Sequence, residues 1–222
     1  MVASSEITQP GESIGVFFPF SLCCIVVAAI LASAAVPDLW HRGFFAEGGP
    51  LEVASVVPYV IGAAGFLLIW PSRALGDAWH VTLLFLLFAA RELDWDKRFS
   101  AEGVLQASLY SGDHPISQKI IGGLIILAIL AMIYRFVRHG TGPLLRGLRA
   151  GDLWAWAGSS AFLFAVATKS IDGIGRKLAP YGVELSPMVE AAFAQAEESG
   201  ELVLSVLLVL SLSAWMALKQ RS

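Results

Sequence analysis

Long apolar runs, broken by short joints rich in Gly, Pro and charge, set the pattern of this chain. A helix needs about 20 residues to cross the hydrocarbon of a bilayer. Counted that way, the runs predict helices over about 15–36, 52–70, 78–97, 117–138, 153–172 and 198–218. The first two are free of Lys and Arg, and the joints "FFAEGGP", "PSRALGD", "RHGTGP" and "LAPYGVELSP" carry the expected helix-breaking residues. The fold class this implies is all-α, a single integral membrane bundle of six transmembrane helices with no convincing internal repeat.

Composition agrees. The chain has 222 residues, is 56% hydrophobic and 15% charged, and has a clearly positive mean hydropathy. A soluble domain of that size exposes too much surface to hide so many apolar groups. No basic run interleaved with aromatics is present, which argues against nucleic acid as a partner. Cys23 and Cys24 are adjacent, so a disulfide between them is strained, and both read as small core or lipid-facing residues. The segment before the first run lacks the positive residues of a secretory signal, so the first helix is expected to be retained.

Six crossings put both termini on one side. That side holds Arg73, the acid-poor stretch "RHGTGPLLRGLRAG" and the Lys219–Arg221 tail. The positive-inside rule makes it cytoplasmic. Trp70, Trp79, Trp154, Trp156 and Trp215 then form a belt at the cytoplasmic interface, with Trp40 and Trp95 at the outer one.

The third apolar run departs from the pattern. From Leu83 to Ala90 it is unbroken, and then Arg91, Glu92, Asp94, Asp96, Lys97 and Arg98 follow within eight residues. To span a bilayer from Ala78, that helix must take Arg91 and Glu92 to membrane depth. The fifth run likewise reaches Lys169 and Asp172, the sixth begins among Glu198 and Glu201, and the second opens on Glu52. All four ends fall in the same outer leaflet. Ionisable groups at membrane depth are costly, and they usually face the bundle interior in pairs or in functional sites.

Helical spacing puts Glu92 with Asp96, Glu198 and Glu197 with Glu201, and Lys169 with Asp172 and then Arg176, each pair on one face. The candidate polar pocket is therefore Glu52, Arg91, Glu92, Asp96, Lys169, Asp172, Arg176, Glu198 and Glu201. Carboxylates converging from several helices can hold a metal. Glu52, Glu92, Asp172 and Glu201 would be an all-oxygen set, suited to Mg²⁺, Ca²⁺ or Mn²⁺. His41, His80, His114 and His139 are scattered and read as interface or loop residues. Against the site stands a bland account: Arg91, Lys97, Arg98, Lys169, Arg176 and Lys177 nearly match the acids, and the whole set could simply cross-link helices. "GSS" at 158 has no histidine partner for hydrolase chemistry, and "GGL" at 122 and "IGAAG" at 61 read as packing.

Two motifs carry a resemblance. Glu47, Gly49, Pro50 and Glu52 form an acidic-Gly-Pro-x-Glu motif, and Glu92, Trp95 and Arg98 an acidic-x-x-Trp-x-x-Arg motif. In these the chain resembles an uncharacterised group of small bacterial polytopic inner-membrane proteins. The resemblance covers the second and third segments, and it implies a bacterial inner membrane and no particular activity. Ceramidase-like membrane hydrolases need a histidine set that this sequence lacks. Three functions remain open: an outward-facing carboxylate pocket for a divalent cation or a polar lipid headgroup, an accessory or structural subunit beside other membrane subunits, and a component of an ion or proton pathway.

Overall fold

The computed structural model describes residues 10–36, 39, 43–45, 49–95 and 103–221, without the side chains of 10–14 and 221. Asp96, Lys97 and Arg98, and likewise Glu47, Trp40 and His41, lie outside the described residues. The described chain is helical, with no strand. In order it forms α1 (Pro10–Ser33), α2 (Pro50–Ile69), the short α3 (Pro71–Leu75), α4 (Trp79–Glu92), the short α5 (Ala107–Ser111) and α6 (Ile116–Arg135). A π-helical turn, Phe136–Gly140, joins α6 to α7 (Thr141–Ala150). Then come α8 (Leu153–Ile171), α9 (Ile174–Leu178), a 3-10 turn at Ala179–Tyr181, and α10 (Pro187–Arg221).

Local chemistry explains the breaks. Pro50 takes the first helical position of α2, where its missing N–H costs nothing, and Glu52 sits in the first turn against the helix dipole. Pro71 forces a new start after Trp70. Gly151 ends α7 in the left-handed region at φ +76°, and the Asp152 N–H reaches back to the Gly147 carbonyl at 2.8 Å. Asp94 adopts φ +47°, and α4 stops two residues before it. This helix is accordingly shorter than the 78–97 read from the sequence, and α10 starts well before residue 198.

Among the described residues, four helical stretches are long and apolar enough to cross a membrane: Gly15–Ser33, Pro50–Ile69, Ile116–Ala150 and Pro187–Gln220. At ~1.5 Å per residue, the 35 residues of α10 extend about 52 Å, well beyond a hydrocarbon core of about 30 Å. Apolar side chains turn outward in bulk: Leu124, Leu127 and Leu130 on α6, and Phe162, Leu163 and Val166 on α8, are all exposed. Outward-facing apolar surface on long apolar helices marks a membrane protein that sits in a lipid bilayer.

The core lies where α10 packs against α8, α2 and α1, with α4 laid on α2. Val16, Cys23 and Val27 of α1 meet Tyr59, Ala63 and Phe66 of α2, Phe85 and Ala89 of α4, and Val209, Leu212 and Met216 of α10. Cys23 is buried, Cys24 is exposed, and both are free. Glycines allow the close approaches. A methyl at Gly62 would run into the Phe85 ring, one at Gly65 into Pro19, and one at Gly158 would come within 3.0 Å of Ser211 Oγ. Both "IGAAG" and "GSS" thus serve packing, as small residues do between membrane helices.

Candidate functional site

The start of α2, the end of α4 and the middle of α10 meet at one end of this core. Arg91, in the last turn of α4, points its guanidinium at two acids. Nη1 lies 3.0 Å from Glu92 Oε1, and Nη2 lies 2.5 Å from Glu201 Oε1. The Glu92 and Glu201 side chains are 4% and 8% exposed, whereas that of Arg91 is 42% exposed. The cluster is therefore sealed on the carboxylate side and open on the arginine side. Two carboxylates face one guanidinium, and uncompensated negative charge in so dry a setting is costly.

Two α2 residues complete the wall. The buried Ser55 hydroxyl donates to the Glu52 carbonyl at 2.7 Å, and its oxygen stands 3.5 Å from Glu92 Oε2. Tyr59, one turn further in, is fully buried, with its ring stacked on Phe88 at 5.3 Å and edge-on to Phe85 at 6.4 Å. Its hydroxyl feels the charges of Glu92, Glu201 and Arg91, yet it has no hydrogen-bond partner among the described residues. Buried hydroxyls are nearly always paired, so this one marks a position where a partner belongs.

The remaining sequence candidates fall into two groups. Glu52 is half-buried in the first turn of α2, one turn before Ser55, and Glu198 is half-buried on α10, within electrostatic range of Glu92. The second group lies at the end of α8. Lys169 pairs with Asp172, and Arg176 Nη2 stands 4.0 Å from the other Asp172 oxygen. Asp172 caps α8 beyond its last turn. Glu197 lies between the two groups and feels Asp172 as well as Glu201. Among the described residues, no three His, Cys, Asp or Glu side chains assemble as metal ligands. Of the four carboxylates Glu52, Glu92, Asp172 and Glu201, Glu92 and Glu201 share contact with Arg91, while Asp172 is engaged by Lys169.

The sequence reading missed Ser55 and Tyr59. They sit three and seven residues after Glu52, on the same helical face, which was the available signal. No family model, curated protein or solved structure matches this chain, so what the site can do is read from its own geometry.

Proposed function

We propose that the protein crosses the membrane six times, through α1, α2, α4, α6, α8 and α10, and holds at its outer end a polar intramembrane site for a cationic ligand. The best-fitting ligand is the primary ammonium of a lipid headgroup. One observation carries this reading: the buried Tyr59 hydroxyl, without a partner among the described residues, one turn along α2 from the Ser55 that touches Glu92, while Glu92 and Glu201 both contact the Arg91 guanidinium. An ammonium has three N–H donors. Glu92, Glu201 and Tyr59 offer three acceptors, and the positive charge offsets the carboxylate excess. The half-exposed Arg91 leaves the cluster reachable from one side and can meet the phosphate of the same headgroup. Mg²⁺, Ca²⁺ or Mn²⁺ fit less well, since each prefers more oxygen ligands than the pair supplies. We further propose a bacterial inner-membrane location with both termini cytoplasmic, from the basic residues at the opposite end and the resemblance carried by the two motifs.

A second reading has its own support. Arg91 reaches both Glu92 and Glu201, which ties α4 to α10, so the cluster could act as a buried brace in an accessory subunit. A proton or ion path has less support. Beyond Tyr59 the core is largely apolar, with Ala63, Phe66, Val209, Leu212 and Met216, and the polar groups buried there, such as Ser205 and Ser213, carry no charge.

Thermal unfolding in phosphatidylcholine nanodiscs separates the first two readings. Phosphatidylcholine carries a quaternary ammonium with no N–H. Adding phosphatidylethanolamine should raise the midpoint of the wild type but not that of Tyr59→Phe or Glu201→Gln, by ordinary binding linkage. Free ethanolamine and the three divalent cations, added separately, should do little. A wild-type midpoint unmoved by phosphatidylethanolamine would favour the brace.

A further inference from the structure

A second charged surface lies at the other end of the bundle. From Arg135 to Gly151 the chain reads "RFVRHGTGPLLRGLRAG", with four arginines, one histidine and no acid. It covers the last residue of α6, the π turn and α7, which continue without a break from the apolar α6. The 20 residues of α6 already extend about 30 Å, the depth of the hydrocarbon, so the basic segment from Phe136 to Ala150 cannot share it with α6.

Two anchors hold the stretch across the end of the bundle. At its start, Arg135 Nε donates to His80 Nδ1 at 3.1 Å, and the same guanidinium donates to the Asp77 carbonyl at the entry to α4. Towards its end, Gly147 is buried against Ala155 and Trp154 at the entry to α8, so closely that a methyl there would lie 2.8 Å from Ala155 Cβ. Both anchor points belong to the end opposite Arg91 and Glu201. The same end carries Trp70 and Trp215, with ring centroids 6.0 Å apart, and the exposed Trp156. Such aromatic rings belong at headgroup level.

Arg138, Arg146 and Arg149 all project from this strap as exposed residues, and none makes an ion pair among the described residues. Arg146 and Arg149 are three apart and share a face, the one turned away from the buried Gly147. Leu145, on that same outward side, is exposed too. Unpaired guanidiniums beside an apolar side chain, held at headgroup level, match the layered chemistry of a lipid surface: phosphate outside, acyl chain beneath. We propose that the Phe136–Ala150 strap docks on anionic phospholipid headgroups, with Arg138, Arg146 and Arg149 each taking a phosphate. This surface is independent of the Glu92–Glu201 site and takes ligands of the opposite charge.

The test uses the full-length protein in nanodiscs of phosphatidylcholine alone, or with added phosphatidylglycerol, which is anionic and has no ammonium. Phosphatidylglycerol should raise the unfolding midpoint of the wild type and be retained on purification. The triple change Arg138→Gln, Arg146→Gln and Arg149→Gln should lower that retention about a hundredfold, given roughly fivefold for each of the three basic residues. The matching triple change to Lys should keep most of it. In the wild type alone, added NaCl should shrink the phosphatidylglycerol effect, which keeps the test valid if the Gln variant folds poorly. Equal retention by the Gln triple and the wild type would overturn the proposal. So would an effect indifferent to salt, or an equal midpoint shift from inorganic phosphate in pure phosphatidylcholine.

Discussion

Arg91→Gln leaves Glu92 and Glu201 facing each other with no cation between them. The wild type has two charge-assisted contacts there, at 3.0 and 2.5 Å, to carboxylates that are 4% and 8% exposed. Removing one partner of a buried pair costs about 3–5 kcal/mol. Arg91 itself is 42% exposed, which places the cost at the low end, about 3 kcal/mol. For a chain of 222 residues that is a fall of roughly 6–12 °C in Tm. Glu92→Gln differs, although it touches the same contact. Arg91 keeps Glu201, the carboxylate excess disappears, and the loss of one charged hydrogen bond, about 1.5–3 kcal/mol, is largely offset. Its Tm should stay within a few degrees of the wild type. The assay is thermal unfolding of both variants in phosphatidylcholine nanodiscs, followed by size-exclusion recovery. Were Arg91→Gln to melt like the wild type while Glu92→Gln collapsed, the charge count assigned to this cluster would be refuted.

Tyr59→Phe removes a buried hydroxyl with no partner among the described residues, so in pure phosphatidylcholine it should match or exceed the wild-type Tm by up to about 1 kcal/mol equivalent; a clear loss would mean that the hydroxyl is already paired. Gly62→Ala pushes a methyl into the Phe85 ring and should destabilise by about 1–3 kcal/mol, read as a lowered Tm with unchanged helical circular dichroism. In a background lacking Cys23 and Cys24, a cysteine at Ser111 should react with an impermeant thiol reagent in whole cells and one at Gly142 should not; the reverse labelling would invert the proposed orientation.

The apolar segments and the gathering of charge at one end were legible because both are one-dimensional: run length reports span, and a charge breaking a run reports depth. Arg91, Glu92 and Glu201 were marked on those grounds. Their pairing was not legible. Whether Arg91 turns to Glu201, and Asp172 to Lys169, depends on the rotation of each helix about its axis, which neighbouring side chains fix. Ser55 and Tyr59 were overlooked because each is a common residue on an apolar helix, and only burial beside the charges singles them out. Run length gave the apolar part of each helix but not where the helix itself starts and stops. The helix α10 begins at Pro187, and α4 ends at Glu92, two residues before the left-handed Asp94.

Native mass spectrometry of the detergent-purified protein, scored for retained lipid, tests the central claim most directly. The account predicts that the wild type keeps phosphatidylethanolamine in preference to phosphatidylcholine, and that Glu201→Gln and Tyr59→Phe lose this preference while remaining folded. Equal retention of the two lipids by the wild type, or a preference that survives both substitutions, would contradict it.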